Sequence, residues 1–506
     1  MSKIDIVLIK PGSQKQLYGD LSDFKLTAIE PPLWAAILAG YLRHLGYSVI
    51  LYDAEVENWD YDQTAKKAIE VDPLLVAIVV SGSNPSASTM NMAGAGEIVT
   101  LIQEIAPGIK TLLCGLHPSA LPNQTISEEN VDFVCQGEGF YTLPLLIDAL
   151  KSGTDDFQID GLWYKKNHQV VSNPRPPLMK NLDDVPMPAW ELLPMKKYRA
   201  HNWHCFDHIK ERQPYAVLYT SLGCPFNCTF CCINSLFGKH MIRYRSLDKV
   251  MEELDFLINT FGVKNIKIID EMFALNEKRV VAFCDMIIER KYDLNMWAYA
   301  RVNTVTEKML YKMKQAGINW VAYGFESGSK RVIESITKGY KMEQVGKVVE
   351  MTYNLDIHIC ANFIFGLPED DFDSMHETLK LMLDINAEWA NIYCAMAYPG
   401  SKLYEMALEN DWSLPKSWAG YSQYAYETLP LPTHYLSGGQ VLSFRDYAFE
   451  AYYHNPRYLN MMDKKFGPET VSHIQKMTKN KLNRKYATVS RTQIDGQQSN
   501  GHRSGD

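Results

Sequence analysis

Four cysteines stand within nine residues in the segment SLGCPFNCTFCC, residues 221–232. Cys224, Cys228 and Cys231 have the spacing Cx3Cx2C, and Cys232 follows directly. Three thiolates on a tight loop can converge on one metal centre, whereas the side chain of an adjacent fourth cysteine points elsewhere in most backbone conformations. The segment is therefore compatible with a disulfide, a zinc site or an iron–sulfur cluster that uses three of the four thiols.

Composition and ligand number favour the cluster over the other two kinds of site. No signal peptide and no apolar run of about 20 residues is visible, so we expect a cytoplasmic protein without a transmembrane segment, whose thiols stay reduced. A structural zinc site normally has four ligands in two separated pairs, and neither a second CxxC pair nor a suitably spaced His pair is present. Three thiolates would leave one iron of a [4Fe–4S] cluster open to a ligand. We therefore predict a cluster at Cys224, Cys228 and Cys231.

The cysteine loop begins a run of alternating strands and helices. From residue 214 onward, six apolar strand patterns alternate with helical segments such as SLDKVMEELDFLINTFG, which predicts a β/α barrel or partial barrel. In such a barrel the carboxyl ends of the strands carry the functional loops. We place the barrel at residues 209–425, a helical region at residues 426–486 and a polar, disordered tail at residues 487–506.

The first 150 residues also alternate apolar strands with amphipathic helices. This pattern predicts a Rossmann-like (flavodoxin-like) α/β domain over residues 1–150, whose strand-end loops form a ligand crevice. Residues 151–208 contain a hairpin pattern and a proline-rich stretch, and we assign them to a linker. The net charge of −8 argues against nucleic acid as a main partner.

With this cysteine loop at the start of a barrel pattern, the sequence resembles the radical S-adenosylmethionine (SAM) enzymes. In that family the open iron chelates the amino and carboxylate groups of SAM, and an electron from the cluster cleaves SAM to methionine and a 5′-deoxyadenosyl radical. The resemblance covers about residues 214–410. It implies that Asp270 or Glu271 contacts the SAM amino group and that Arg301 pairs with the SAM carboxylate.

Two later segments extend the resemblance to the fourth and fifth strands. GFESGS implies that Glu326 and Ser327 approach the ribose and methionine parts of SAM. NFIFGLPE matches the family pattern through Ile364, Gly366 and Glu369. Each of these residues alone also fits a structural role, such as a turn glycine, a strand-end carboxylate or one half of an ion pair.

The N-terminal domain looks like the cobalamin-binding domain found in one branch of that family. The histidine motif DxHxxG is absent, so the resemblance implies cobalamin bound without a protein histidine on cobalt. An α/β domain that only binds a partner domain is the alternative. The resemblance rests on the segments SGSNPSAST, CGLHPSALP and QGEG, and the candidate cobalamin contacts are Ser81, Gly82, Ser83, Gly115, His117, Gly137 and Glu138.

The resemblance implies an enzyme that uses a [4Fe–4S] cluster, SAM and cobalamin together. We expect a class B type of methyltransferase that methylates an unactivated carbon of a bulky small molecule or lipid, with electrons from flavodoxin or ferredoxin. A radical cyclisation, rearrangement or oxidation without net methyl transfer is the first alternative. A cobalamin-sensing or redox-sensing binding protein is an alternative from another class.

Overall fold

The computed structural model describes residues 3–12, 27–82 and 88–488, and these residues form two large sheets and one short two-stranded ladder. Ser83 and most of the predicted tail lie outside the described residues. No helix of the described residues combines the length and the apolar character needed to cross a bilayer.

The first sheet has seven strands in the order β2-β1-β3-β4-β5-β6-β7. Strands β1 to β5 are parallel. The strand β3 (PLLVAIVV) is almost wholly buried, as expected for a parallel strand covered by helices on both faces. The strands are β1 (Ile4–Lys10), β2 (Val49–Asp53), β3 (Pro73–Val80), β4 (Lys110–Gly115), β5 (Phe133–Cys135), β6 (Leu162–Lys166) and β7 (Gln169–Ser172).

The helices of this half alternate with its parallel strands. The strand-end segment after β4 forms the short helix Leu116–Ala120. The α-helices are Leu33–His44, Ala54–Glu57, Tyr61–Glu70, Met92–Ile105, Leu116–Ala120, Pro122–Glu128 and Thr142–Ser152, and the 3-10 turns up to the barrel are Thr89–Asn91, Leu182–Asp184, Trp190–Leu192, Met195–Lys197 and Trp203–His208.

The hairpin β6–β7 belongs to the first sheet and not to the linker predicted for residues 151–208. β6 pairs antiparallel with β5, so that Phe133 lies opposite Tyr164. Its turn residues Asn167 and His168 both have positive φ (50° and 63°), as a tight two-residue hairpin turn requires. The hairpin covers the polar backbone edge that the short strand β5 would otherwise expose.

The second sheet is a partial barrel of six parallel strands in the order β15-β14-β13-β12-β11-β8. No pairing between β15 and β8 occurs among the described residues, so the barrel is open at that edge. The fold class predicted from the sequence is thus confirmed. The strands are β8 (Tyr215–Leu218), β11 (Asn265–Ile268), β12 (Asn295–Ala300), β13 (Ile318–Glu326), β14 (His358–Phe365) and β15 (Trp389–Cys394), with a separate ladder of β9 (Ser221–Leu222) and β10 (Arg243–Tyr244).

Helices alternate with the barrel strands and have clear sequence signals at their ends. Ser246 caps the helix Leu247–Phe261 through a bond from Lys249 N, and Gly262 ends it with φ 68°. The barrel helices are Asn234–Phe237, Leu247–Phe261, Glu277–Arg290, Glu307–Gln315, Lys330–Ser335, Glu343–Asn354, Phe372–Ile385 and Lys402–Glu409, followed by the 3-10 turn Trp418–Tyr421.

Two C-terminal helices, Gly438–Tyr453 and Pro456–Thr478, pack beside β15. The aromatic residues Tyr452, Tyr453 and Tyr458 are buried between them and the barrel. Their hydroxyls donate to the carbonyls of residues 387, 390 and 388, respectively. This part of the aromatic C-terminal region is therefore core packing.

Two buried ion pairs join the halves of the molecule. Glu138, which follows β5, pairs with Arg243 of β10 at 2.5 Å. Glu30, which precedes the first helix, pairs with Lys267 of β11 at 3.1 Å. These contacts set the first sheet against the barrel, and the space between them becomes the candidate site.

Candidate functional site

One cavity of about 630 Å³ is bounded by both sheets and by the C-terminal region. Lys10, Ser81 and Gly82 line it from the first sheet, while the cysteine loop and the inner faces of the barrel strands line the other walls. Residues 477–482, at and after the end of the last helix, line another side, except for residue 479. Loops from two separate domains therefore face one shared cavity.

The cysteine loop divides as the sequence predicts. Cys224, Cys228 and Cys231 line the cavity, whereas Cys232 is only 2% exposed and packs in the core. Gly223 lets the chain turn into this loop with φ 89°, where a Cβ atom would lie 2.4 Å from the carbonyl oxygen of Met241.

The three thiols of the loop differ in their surroundings. Without a metal, burial raises the pKa of Cys224 to about 11 and that of Cys231 to about 12, which favours the protonated thiols. Arg301 donates to the Sγ atom of Cys228 at 3.2 Å. A bound metal deprotonates its thiol ligands outright.

The residues present fit a [4Fe–4S] cluster with SAM better than a single ion. Within the described ranges, no three Cys, His, Asp or Glu side chains are grouped closely enough to hold one metal ion. Ligands of a cubane cluster bind different irons and need not converge on one point. The Nε atom of Arg301 is buried without a partner beside the thiols, and the ring of Phe226 lies 3.8 Å from its guanidinium. A ligand carboxylate would satisfy this donor.

The structure separates the two second-strand carboxylates that the sequence leaves as alternatives. Glu271 lines the cavity and accepts from Gly223 N (3.1 Å) and Tyr219 Oη (3.4 Å). Burial raises the pKa of Glu271 to about 8. Asp270 does not line the cavity: it is fully buried and accepts three bonds of 2.6 Å from the backbone and hydroxyl of Thr220 and from Ser221 Oγ.

At the end of β13, Glu326 faces the cavity and Ser327 does not. Glu326 has φ 61°, a strained value for a residue other than glycine, and forms a buried ion pair with Lys338, which also lines the cavity. Ser327 is fully buried, and its hydroxyl is bonded to Thr378 Oγ1 (3.0 Å). The resemblance places Ser327 beside SAM, but in the structure it holds the helix Phe372–Ile385.

On β14 the cavity is lined by Cys360, Asn362 and Ile364, whereas Gly366 and Glu369, in the loop after this strand, lie outside the lining. Gly366 has φ 82°, and a Cβ atom there would lie 2.3 Å from Val441, so this glycine permits close packing of the C-terminal helix. Glu369 is a surface residue that pairs with Arg331 (3.7 Å) and His434 (3.6 Å).

Sequence reasoning did not identify Asp370 as the residue that fixes the fifth-strand loop. Its carboxylate accepts from Gly366 N (2.9 Å), Leu367 N (3.0 Å) and Ser374 Oγ (2.6 Å). Burial raises its pKa to about 7. The signal in the sequence was the pair Asp370-Asp371 immediately before a helix, where carboxylates commonly cap backbone N–H groups.

On the first sheet, Ser81, Gly82 and Gly115 lie at the neighbouring carboxyl ends of β3 and β4. Ser81 and Gly82 line the large cavity and, with Gly115, an adjoining smaller one. Gly115 has φ 114°, and a Cβ atom there would lie 2.3 Å from the carbonyl oxygen of Val80. These small residues form a cradle open to a large ligand, which fits the corrin ring of cobalamin.

The other three described candidates of this domain have structural contacts. Gly137 donates to Ser119 Oγ at 2.9 Å. The carboxylate of Glu138 pairs with Arg243 and accepts a hydrogen bond from Met179 N (2.8 Å). His117 lies outside both cavity linings, because its ring packs against Trp418 at 4.6 Å and its Nδ1 atom is 3.2 Å from Thr89 Oγ1.

Two family models match the chain. The B12 binding domain matches residues 24–147, and the radical SAM superfamily matches residues 218–382. An uncharacterized methyltransferase of Pyrococcus horikoshii is 34% identical over 393 residues, which are 78% of this chain and 82% of that protein. An anaerobic magnesium-protoporphyrin IX monomethyl ester cyclase of Rubrivivax gelatinosus is 27% identical over 383 residues, which are 74% of this chain and 66% of that protein.

The fold is similar to a solved structure of the radical SAM methyltransferase TsrM from Kitasatospora setae, which holds cobalamin and a [4Fe–4S] cluster. The TM-score is 0.67, with 16% identity over 90% of each chain. The two matched domains, the relative that is 34% identical over most of the chain, and the shared fold agree with the cavity described above. The chain belongs to the cobalamin-dependent radical SAM enzymes, and its cofactors are a [4Fe–4S] cluster, SAM and cobalamin.

Proposed function

We propose that this enzyme transfers a methyl group to an unactivated carbon of a bulky small molecule or lipid. The observation that carries the proposal is the shared cavity, which the cysteine loop lines from one side and the β3 loop from another. When bound, the reduced cluster and SAM supply a 5′-deoxyadenosyl radical, and cobalamin supplies the methyl group. The source of the radical and the source of the methyl group would then face the same substrate.

The residues of this chain would orient the ligands around that volume. Cys224, Cys228 and Cys231 would hold the cluster. Arg301 would pair with the SAM carboxylate through the donor that lacks a partner, and Glu271 would accept from the SAM amino group. Ile364 and the ion pair of Glu326 with Lys338 would lie beside the nucleoside part of SAM.

The loops of the first sheet would hold the corrin ring. Gly115 allows the backbone to approach a flat ligand, and Ser81 offers a hydroxyl. His117 is turned toward Thr89 and Trp418, so cobalamin would be held without this histidine as a ligand. The C-terminal residues that line the cavity would contact the substrate.

The partners belong to the same proposal. The cluster needs an electron from a low-potential protein, and flavodoxin or ferredoxin has suitable chemistry. No disulfide joins any of the ten cysteines, all of which lie within the described residues, and this fits a cytoplasmic site of action.

A second candidate function is a radical cyclisation without net methyl transfer. The relative from Rubrivivax gelatinosus, a cyclase by name, favours it. The same cavity would serve, because radical formation requires the same SAM contacts in either reaction. The two functions differ in the fate of the SAM methyl group.

That difference defines the experiment. The anaerobically reconstituted enzyme would be incubated with dithionite, hydroxocobalamin and 13CH3-labelled SAM in a small-molecule extract of the source cells. We expect 5′-deoxyadenosine together with a product that carries the label. 5′-Deoxyadenosine with an unlabelled new product would support cyclisation, and absence of SAM cleavage by a cluster-loaded enzyme would overturn both functions.

A further inference from the structure

A buried arginine forms part of the cavity wall beside β15. Arg445, on the helix Gly438–Tyr453, is only 4% exposed and lines the cavity. Its Nε atom donates a hydrogen bond to the carbonyl oxygen of Ile392 (2.8 Å), and its Nη1 atom donates one to Asp446 Oδ1 (2.8 Å). A guanidinium has five N–H groups. Three of them therefore remain for a ligand in the cavity.

The carboxylate beside Arg445 is already used by another cation. Arg484 holds Asp446 in a two-point contact, with Nε and Nη2 each 3.1 Å from a different carboxylate oxygen. Its Nη1 atom donates to the carbonyl oxygen of Gln423 (2.9 Å) and to Thr428 Oγ1 (3.1 Å). Two guanidinium groups thus share one carboxylate, so among the residues that the structure describes this cluster carries one net positive charge. A buried charge of this kind is costly unless a further anion pairs with it.

Each lysine of the described cavity lining pairs with a carboxylate that is not shared by two arginines. Arg301 is a separate case, because it lies beside Cys228 and is assigned to SAM. The remaining pairs are Lys10 with Glu55 (2.8 Å), Lys267 with Glu30 (3.1 Å), Lys338 with Glu326, and Lys481 with Glu450 (3.4 Å).

The surroundings of Arg445 are aromatic. Its guanidinium lies 5.9 Å from the ring centre of Tyr424 and 5.4 Å from that of Phe449. Tyr393 and Trp389, from β15, line the same cavity. An apolar or aromatic ligand body would pack on these rings while an attached anion reaches the arginine.

We propose that Arg445 is the substrate-anion subsite, and that the substrate carries a carboxylate or phosphate on an apolar or aromatic body. This inference rests on the proposed function, because it names the class of molecule that would occupy the same cavity. Arg445 would fix the orientation of the substrate with respect to the cysteine loop. The bond from its Nε atom to the carbonyl oxygen of Ile392 would hold Arg445 in place.

Three probes with one ring system test the subsite without the natural substrate. 2-Naphthoate and 2-naphthamide have nearly the same shape and differ in charge, and 2-naphthyl phosphate distinguishes a phosphate site from a carboxylate site. Their affinities for the reconstituted holoenzyme would be measured by equilibrium dialysis. We expect at least one anionic probe to bind about tenfold or more tightly than the amide. Equal affinities of all three probes would overturn the proposal.

Variants assign the preference to Arg445. In Arg445→Gln the ratio of anion to amide affinity should fall below about twofold, with the amide affinity unchanged. Asp446→Asn removes the competing carboxylate, so the anion preference should rise by about threefold or more. An unchanged ratio in both variants would refute the subsite. Should Arg445→Gln fail to fold, Asp446→Asn alone decides, since a purely structural role predicts no gain.

A control and an independent readout separate this proposal from the proposed function. Lys485→Gln removes a half-exposed cation that lies outside the cavity lining and pairs with Glu427 (3.9 Å), and it should leave the anion preference within about twofold. SAM cleavage by the wild-type enzyme tests the proposed function. Loss of cleavage with an intact anion preference would refute only the function, and cleavage without the preference would refute only the subsite.

Discussion

Neighbouring residues of the cysteine loop have different surroundings. Cys231 lines the cavity, while Cys232 packs in the core. The spacing of the thiols predicted this division, because adjacent side chains diverge. The same divergence separates Asp270 from Glu271 and Glu326 from Ser327, where spacing alone does not say which residue faces inward.

Cluster ligation can be tested with one substitution for each thiol. Cys224→Ala, Cys228→Ala and Cys231→Ala should each lose the visible absorbance of the reconstituted cluster and SAM cleavage. Cys232→Ala should retain both and lose about 1 kcal/mol of stability. Iron and sulfide quantitation measures the cluster. Full iron content and activity in any of the first three variants would refute the assignment.

Glu271 and Asp270 provide a matched pair of carboxylates. Glu271→Ala should weaken SAM binding about tenfold or more, since a buried acceptor at the ligand is lost. Asp270→Asn should affect mainly folding and lower the stability by about 2 kcal/mol, because the donors of Thr220 and Ser221 lose a charged acceptor. Equilibrium dialysis of SAM and thermal unfolding measure the two effects. The reverse pattern would exchange the two roles.

His117 should make stability depend on pH. Burial lowers the pKa of His117 to about 3, whereas an unfolded histidine titrates near 6.5. Between these values the unfolded chain binds more protons, so stability falls as the pH falls through this window. His117→Gln removes the effect. The stability advantage of the wild type over this variant should shrink by about 2 kcal/mol from pH 7 to pH 5, and an equal advantage at both pH values in thermal unfolding would contradict it.

At the scale of elements, the strand ends position the site. The apolar patterns of the sequence predict all six barrel strands and the five parallel strands of the first sheet, because buried parallel strands are continuous apolar runs. The prediction that the hairpin β6–β7 belongs to the linker is wrong, since a hairpin pattern identifies its own two strands but not the strand β5 with which Leu162, Trp163 and Tyr164 pair.

Gly115 tests the junction of β3 and β4. In Gly115→Ala the new methyl group would lie 2.3 Å from the carbonyl oxygen of Val80, at a φ of 114° that side chains rarely adopt. We expect a loss of about 2 kcal/mol or more and a loss of bound corrin. Gly108→Ala is the control, because no atom lies within 4 Å of its Cβ position. Corrin quantitation after gel filtration checks the result, and a corrin-replete Gly115→Ala protein would refute the cradle.

At the scale of the whole molecule, the site exists because two domains dock. The ion pair of Glu138 with Arg243 crosses the junction and is buried on both sides. Arg175 also crosses it and donates to the carbonyl oxygens of Ser235 (2.9 Å) and Leu236 (3.1 Å). The cavity depends on this docking, because its lining comes from both domains.

The docking can be tested at that pair. Glu138→Gln leaves the buried charge of Arg243 without its carboxylate and should cost about 3 kcal/mol. Calorimetry should then show the two halves unfolding in separate transitions. The control is Glu191→Gln, at the half-exposed pair with Arg43, which should cost less than about 1 kcal/mol. A single unshifted transition in Glu138→Gln would show that the ion pair does not control docking.

The sequence by itself determined the order of strands and helices, the grouping of Cys224, Cys228 and Cys231 on one loop, and the family, because these depend on local periodicity and on spacing within one loop. The tertiary structure decided which strand-end side chains share the cavity. Glu271, Glu326 and Ile364 face it, whereas the candidates Glu138 and Glu369 pair elsewhere. Their partners lie far away in sequence or on the surface, and only the packed sheets bring such groups together. The contacts of Arg445 also depend on the tertiary structure. The sequence does not show that Arg484 binds the carboxylate of Asp446, the residue next to Arg445.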